Sequence, residues 1–147
     1  MEAALKQAQK AALKGEVPVG CVIVKDNEII ARGYNLRETS KHVFMHAEMI
    51  AMDKACKKLG SWRLDECTIY VTLEPCAMCA GTMIQSRVKR LVYGAKEPKS
   101  GVHQSLTNLF GVPFNHEVIV ESGLLEEKSS QLLKSFFKEL RGQKDLK

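Results

Sequence analysis

The chain has 147 residues, the length of one typical domain, and its 45% apolar and 27% charged residues exclude collagen, coiled coil and low-complexity sequence. No apolar run approaches the roughly 18–20 residues of a membrane span, and the first residues lack the apolar segment of a secretory signal. The net charge of +5 permits a polyanionic partner without requiring one, while five cysteines, an odd count, indicate reduced thiols and a cytoplasmic location.

Predicted helices and strands alternate along a single domain over residues 1–147, since no linker or repeat interrupts the chain. In the first part we predict a helix over 1–14, a hairpin of strands 17–24 and 29–33, a loop over 35–45 and a helix over 46–59. In the second part we predict a strand over 68–72, a helix over 76–86, a strand over 90–94, a helical turn within 106–110, a strand over 117–121 and a helix over 125–140.

The order strand, helix, strand between residues 68 and 94 indicates parallel pairing. These elements fit within about 27 residues, which is the size of a compact right-handed βαβ unit. The predicted fold class is therefore α/β, with a mixed sheet of about five strands and helices on its faces.

Two cysteines mark the predicted start of the helix over 76–86. Cys76 and Cys79 are three residues apart, so they share one helical face and can bind a single ion. A helix N-terminus also stabilises thiolates, and Pro75 suits such a helix entry. The same spacing after a strand is typical of a thioredoxin-like redox pair, so the motif alone leaves metal binding and redox chemistry open. The other thiols, Cys21, Cys56 and Cys67, are expected to be buried packing residues.

A histidine and a glutamate begin another predicted helix, thirty residues upstream. His46 with Cys76 and Cys79 would give three ligands and one open position, the pattern of catalytic zinc. Alone, His46 would more simply cap a helix or pack in the core, and Glu48 would complement the helix dipole. Residues two apart on a helix point roughly 200° apart, so we expect Glu48 to reach a bound water as a general base rather than to bind the metal.

These motifs together resemble the signature of the zinc-dependent nucleobase deaminases, His-x-Glu followed by Pro-Cys-x-x-Cys. Within that superfamily the chain resembles the bacterial tRNA-specific adenosine deaminases over about residues 15–141. The segments that carry this closer likeness are 15–20, 46–48, 62–64, 70–76, 78–81, 93–95, 114–116 and 136–137. The resemblance implies a cytidine deaminase-like three-layer α/β/α sandwich and a homodimer.

The resemblance also implies a reaction. One zinc ion per subunit on His46, Cys76 and Cys79 would hold a water, and Glu48 would take its proton. The hydroxide would attack C6 of adenine while Glu48 protonates the ring nitrogen and then the departing ammonia, leaving inosine. The substrate would be the wobble adenosine of a tRNA anticodon loop, flipped into the pocket.

Further site residues follow from the same resemblance. Asn35 would hydrogen-bond the flipped base, although an asparagine after a strand also suits a turn. Val19 and Ala47 would line the pocket, with Val19 also expected to serve as a core strand residue. The backbone of Glu74 and Pro75 would shape the rest.

Two basic stretches offer contacts to nucleic acid. They comprise Arg87, Lys89, Arg90, Lys96 and Lys99 in the first and Lys134, Lys138, Arg141, Lys144 and Lys147 in the second. Such runs are usually solvated faces, but in a deaminase they would contact phosphates. Phe136 or Phe137 could stack near the entrance, with at least one of them expected in the core. The predicted nucleic-acid contacts are Lys96, Lys99, Phe136, Phe137 and Arg141.

Other interpretations of the sequence remain open at this point. One is a deaminase that acts on single-stranded DNA adenine or on a free base or nucleoside, and another is a zinc module without catalysis. The basic C-terminal helix and the 95–105 loop favour a polynucleotide, because an enzyme for free bases would not need them. The apolar loop 42–45 departs from the Asp-Pro that many relatives carry, which bears on substrate choice rather than on chemistry.

Overall fold

The computed structural model describes residues 1–145, so Leu146 and Lys147, which end the predicted domain and the second basic stretch, lie outside the described residues. The elements in chain order are α1 Glu2–Leu13, β1 Gly20–Lys25, β2 Glu28–Tyr34, α2 Arg37–Ser40, α3 Ala47–Leu59, β3 Thr68–Leu73, α4 Ala77–Gln85, β4 Arg90–Ala95, a 3₁₀ turn Leu109–Gly111, β5 Ile119–Ser122 and α5 Glu126–Asp145.

The five strands form one mixed sheet in the order β2-β1-β3-β4-β5. β1 pairs antiparallel with β2 and β3, while β3, β4 and β5 run parallel. Helices α1 and α5 pack on one face, and α3 and α4 pack together on the other. The predicted three-layer α/β sandwich with a mixed five-stranded sheet is confirmed.

The hairpin of β1 and β2 closes through Asp26 and Asn27, which both adopt positive φ, the backbone that a two-residue hairpin turn requires. β1 begins at Gly20 rather than at the predicted residue 17. Pro18 has no backbone N–H that could pair with a neighbouring strand. Helix α1 lies so close to Gly20 that a Cβ on this residue would overlap the Ala4 carbonyl oxygen. The strand therefore starts where α1 docks on it.

Other predicted elements also differ from the structure, and the strand predicted over 117–121 lies at Ile119–Ser122. The predicted loop 35–45 contains the one-turn helix α2. The side chain of Glu16 accepts hydrogen bonds from two N–H groups of α2, and no local sequence pattern indicates this distant partner. The helical turn predicted within 106–110 lies at Leu109–Gly111, where the Asn108 side chain accepts the Gly111 N–H. α5 runs to Asp145 instead of ending at 140, and because residues 141–145 carry no apolar side chain, no hydrophobic period in the sequence indicates this last turn.

The core lies between the sheet and the α3–α4 layer, and Ile23, Ile69 and Tyr93 are among its fully buried side chains. Cys21 and Cys67 are buried as expected, whereas Cys56 is partly exposed, and all the cysteines are free thiols. Within residues 1–145, no helix combines the length and the apolar character that crossing a membrane would need.

Candidate active site

Two helices of the same layer begin at the candidate metal site. His46 is the N-cap residue of α3 and Cys76 is the N-cap residue of α4, and both have extended backbone angles. N-cap positions usually hold Ser, Thr, Asp or Asn, whose side chains cap the helix, but neither of these side chains makes a cap hydrogen bond. Both side chains are therefore free to meet across the site.

The distances fit a bound metal ion. His46 Nδ1 lies 3.6 Å from the Sγ of Cys76 and 3.6 Å from the Sγ of Cys79, and the ligand atoms all fall within 4.8 Å of one another. Tetrahedral bonds of about 2.0–2.3 Å place neighbouring ligand atoms roughly 3.5 Å apart. One imidazole and two thiols at this spacing form a group that can hold a metal ion.

One of the two thiols, that of Cys76, is prepared for metal binding by its surroundings, whereas hydrogen bonding with Cys76 and burial raise the pKa of Cys79. Hydrogen bonding with Cys79 and with His46 lowers the pKa of Cys76 to about 4 in spite of burial. The N–H groups at the start of α4 also favour negative charge at this end of the helix. Cys76 is therefore a thiolate at neutral pH, the form that a metal ion requires.

Glu48 is a buried acid in the first turn of α3, with 4% of its surface exposed. Burial raises the pKa of Glu48 to about 7, and the negative charge of Cys76 adds to the shift. A carboxyl group with this pKa can both accept and donate a proton near neutral pH, as a general acid–base catalyst must.

A cavity of about 330 Å³ is lined by this acid and by two members of the metal-binding group, His46 and Cys76, while Cys79 is buried outside the lining. Among the residues predicted for the base pocket, Val19, Asn35, Ala47 and Glu74 line the cavity. Pro75 lies behind the wall, buried, with its carbonyl oxygen accepting the Val102 N–H at 3.1 Å. Val19 also packs against the core, as expected of a strand-like residue.

Asn35 is held in place by its neighbours. Its Nδ2 donates to the Val17 carbonyl oxygen at 3.3 Å, and its Oδ1 accepts the Arg37 N–H at 3.1 Å. A carboxamide has two N–H groups and two acceptor lone pairs, so one of each stays free for a bound base. The turn and the base contact that the sequence offered as alternatives are thus compatible.

The predicted nucleic-acid contacts divide into two groups. Lys99 and Phe137 line the cavity. Lys96 and Arg141 are exposed outside the lining, and Phe136 is half-buried, with its ring centroid 5.3 Å from that of Phe137. The expectation that one phenylalanine belongs to the core is met only in part.

Much of the first basic stretch is engaged locally. Lys89 and Arg90 pair with Glu66 and Glu121 at 2.9 Å and 2.7 Å. Arg87 donates to carbonyl oxygens at the end of α4. Within the described residues, Lys96 and Lys99 are therefore the exposed cations of this stretch that form no ion pair.

Sequence reasoning missed several residues of the cavity wall, namely Val17, Arg37, Leu73, Glu97 and Ser100. Arg37 is the most informative, because it brings a second cation to the lining beside Lys99. Its position two residues after Asn35 could have indicated a place near the pocket. Because residues 35–45 were predicted as a loop, the sequence did not show in which direction the Arg37 side chain points.

The comparisons with known proteins agree with this site. The chain matches the family model described as MafB19-like deaminase over residues 1–141, so that fold and site together define a deaminase. It is 53% identical over 145 residues to the tRNA-specific adenosine deaminase of Bacillus subtilis (strain 168), covering 98% of this chain and 90% of that protein. Against the tRNA-specific adenosine deaminase of Aquifex aeolicus (strain VF5) the identity is 44% over 142 residues, covering 96% and 93%.

Solved structures extend the comparison. A structure from work on A-to-I editing by tRNA:A34 deaminases aligns with a TM-score of 0.88 and 42% identity, covering 90% of this chain and 97% of the other. A guanine deaminase from Bacillus subtilis aligns with a TM-score of 0.62 and 32% identity, covering 78% and 83%. The chain belongs to the family of tRNA-specific adenosine deaminases.

Proposed function

We propose that this chain catalyses the hydrolytic deamination of adenosine to inosine at the wobble position of a tRNA anticodon loop. The observation that carries the proposal is the buried Glu48 carboxyl group in one cavity with His46 and Cys76. The names of the relatives in Bacillus subtilis and Aquifex aeolicus support tRNA adenosine as the substrate. Residues 1–147 form a single deaminase domain under this proposal.

The donor set supports zinc as the cofactor, with one ion per subunit. His46, Cys76 and Cys79 would hold it, because two thiolates and an imidazole are ligands that zinc prefers and three ligands leave one coordination position open. When bound, zinc would act as a Lewis acid that makes water more acidic.

Glu48 moves the protons of the reaction. Its carboxylate accepts a proton from the attacking water and delivers it to N1 of adenine as the bond from oxygen to C6 forms. It then takes the proton of the hydroxyl group now on C6 and delivers it to the amino group, so that the bond from C6 to nitrogen breaks, the C6 carbonyl forms, and the products are ammonia and inosine. The pKa of about 7 suits a group that accepts and donates within one cycle.

The cavity walls hold the base. Asn35 offers a free N–H and a free acceptor, while Val19 and Ala47 give apolar contact and Glu74 completes the wall, with Pro75 buried outside the lining. At about 330 Å³ the cavity is at the small end of ligand pockets, which run from about 300 to 1,000 Å³, so it suits a single flipped base.

The surroundings of the cavity suit a polynucleotide. Lys99 and Phe137 at the wall would contact a phosphate and stack on a base, with Lys96, Phe136 and Arg141 contributing farther out.

A homodimer and a cytoplasmic location belong to the same proposal. Trp62 is 60% exposed and borders an apolar groove of about 520 Å³ with Met49 and Met52, which supports association of two copies. The free thiols support a reducing compartment.

A comparison of three substrates tests the proposed function. The purified protein is assayed for ammonia and inosine with an anticodon stem–loop carrying adenosine at the wobble position, with the matching DNA, and with free adenosine. We expect efficient turnover of the RNA. Turnover of free adenosine alone would contradict the proposal, and equal turnover of the DNA would widen the substrate to single strands in general.

Two variants separate the proton carrier from the metal ligands. We expect Glu48→Gln to keep one zinc per chain, measured by elemental analysis, while deamination of the stem–loop falls by about 10²–10⁴-fold, since a carboxamide cannot exchange protons. Cys76→Ala should lose the metal as well as activity. Full activity in Glu48→Gln would show that the proposed proton carrier is wrong.

A further inference from the structure

Two buried glutamates take no part in the proposed chemistry. Glu16 and Glu74 are 0% and 2% exposed, and both occur in segments of the family likeness, 15–20 and 70–76. A buried carboxylate is costly unless hydrogen bonds satisfy its oxygens. Each of these two carboxylates is satisfied by N–H groups from a different segment of the cavity wall.

Glu16 anchors α2. Its carboxylate accepts the N–H groups of Glu38 at 3.1 Å and Thr39 at 2.6 Å, at the beginning of the helix. The N-cap residue of α2, Leu36, has no side chain that could do this. The position of α2 therefore depends on Glu16, and α2 carries Arg37 to the cavity wall.

Glu74 anchors the loop 96–105. Its carboxylate accepts five hydrogen bonds from this loop at distances of 2.5–3.1 Å. One comes from the Ser105 hydroxyl group, and four come from the backbone N–H groups of Glu97, His103, Gln104 and Ser105. This loop brings Lys99 and Ser100 to the cavity wall.

The loop is fitted closely around that carboxylate. A Cβ on Gly101 would lie 2.3–2.6 Å from the carboxyl atoms of Glu74, so only glycine allows the loop to wrap this tightly. An ionised carboxylate only accepts hydrogen bonds, and its two oxygens offer about four lone-pair sites. A glutamine of the same shape would turn an NH₂ group toward N–H donors and lose part of the set.

The two anchored segments contribute the cations Arg37 and Lys99 to the lining of one cavity. Among residues 1–145, the Arg37 guanidinium makes one ion pair, an exposed contact with Glu38 at 3.5 Å, so it is available to another anion. Guanidinium and ammonium groups are the side chains that bind phosphates, and held in fixed positions they lose less entropy on binding.

We infer that Glu16 and Glu74 are positioning residues that fix Arg37 and Lys99 as a pair for the phosphates flanking the target nucleotide. The pair then favours a nucleotide within a single strand over a free nucleoside. This inference rests on the proposed function and specifies how its site recognises a polynucleotide.

Binding measurements test the inference separately from catalysis. The dissociation constant of a fluorescent anticodon stem–loop is measured over a series of salt concentrations for the zinc-loaded wild type, Glu16→Gln, Glu74→Gln, Arg37→Ala and Lys99→Ala. We expect each glutamine variant to bind about tenfold more weakly with its zinc content unchanged, and Glu16→Gln, which lies outside the cavity lining, to keep kcat within about twofold. In the alanine variants, the slope of log Kd against log salt concentration should become shallower by about 0.7 for each phosphate that the protein no longer neutralises. The glutamine variants should show the same change in slope, because they displace the same cations.

The sign of the effect makes the test sharp. Removing a negative charge from the protein should by itself strengthen RNA binding, so weaker binding must come from lost positioning. Glu66→Gln is the matched control, because Glu66 is exposed and pairs with Lys89 away from the cavity. That control should bind as well as the wild type or better.

The remaining outcomes also decide the question. Unchanged Kd and salt slope in both glutamine variants, or an equal fall in kcat and zinc content, would overturn the positioning role. If Glu74→Gln does not fold, Gly101→Ala keeps the charge and disturbs the same contact, and it should show the same weaker binding and shallower slope. A wild type that neither binds nor deaminates the stem–loop would instead refute the proposed function.

Discussion

At the scale of single residues, the site depends on two helix N-cap residues whose side chains make no cap hydrogen bond. His46 and Cys76 occupy positions where a short polar side chain normally accepts the first N–H groups of a helix. Since His46 is an extended N-cap residue, its direction relative to Glu48 is set by that backbone and not by the helical angle of roughly 200° assumed from the sequence. Both side chains consequently reach the same cavity.

Asn35 allows a residue-scale prediction that separates its turn from its contact with the base. In Asn35→Asp the side chain can still accept the Arg37 N–H, but it has no N–H left for a base or for the Val17 carbonyl oxygen. We expect KM for the stem–loop to rise about tenfold or more, because a polar site that loses a hydrogen-bond donor discriminates strongly.

The matching variant Asn35→Ala loses the turn as well. It should raise KM similarly and also lower the melting temperature, which is followed by circular dichroism. An Asn35→Asp protein with wild-type KM would show that the carboxamide does not donate to the base.

At the scale of elements, α3 is placed by close contact with the hairpin. Gly33 in β2 faces the beginning of α3, where a Cβ would lie 2.5 Å from the Ala47 carbonyl oxygen and 2.9 Å from the Ala51 nitrogen. The contact is with backbone atoms, which cannot move aside as a flexible side chain can. α3 carries both Ala47 and Glu48, so its distance from the sheet fixes part of the cavity.

A glycine pair tests this placement. Gly33→Ala should lower the stability by about 1–3 kcal/mol through overpacking and should reduce zinc affinity, because α3 moves away from α4. Gly81→Ala is the matched control within α4, where a Cβ would meet no atom within 4 Å. Since alanine is the better helix former, that variant should gain about 0.5–1 kcal/mol.

Urea unfolding and zinc titration measure the two effects. A Gly33→Ala protein as stable as the wild type would contradict the close packing of α3 on β2. If Gly33→Ala loses stability but binds zinc with normal affinity, the N-termini of α3 and α4 move together.

At the scale of the whole molecule, the sequence predicts the parts that depend on short spacing and misses those that depend on distant partners. His46 with Glu48, and Cys76 with Cys79, are close in the chain, and the strand–helix–strand order gives the parallel pairing of β3 and β4. The helix α2 was missed because its anchor Glu16 lies 22 residues away. Arg37 was missed with it for the same reason.

The charge of the molecule illustrates the same limit. Composition gives a net charge of +5, but only the tertiary structure shows that Lys89 and Arg90 pair with acids while Lys99 reaches the cavity. Exposed ion pairs of this kind contribute little to stability, because water and salt screen them. The functional part of the charge is therefore decided by loop placement, which hydrogen bonds to Glu74 control.

The acid stability of the whole molecule should depend on its buried carboxylates, and Glu16 provides the test. Burial alone would raise the pKa of Glu16, but the hydrogen bonds from Thr39 and Glu38 outweigh it and hold the pKa below the ordinary value of 4.5. A folded-state pKa below the unfolded one means that the stabilisation is complete above pH 4.5 and is lost as the pH falls through the folded-state pKa. Glu16→Gln should thus be less stable than the wild type at pH 7, by about 1–3 kcal/mol, and the difference should shrink as the pH falls below 4.5. Urea unfolding of both proteins from pH 7 to pH 3 measures that difference, and metal ligands that protonate in both proteins cancel from it. A difference that stays constant over the whole range would show that the Glu16 charge does not hold α2.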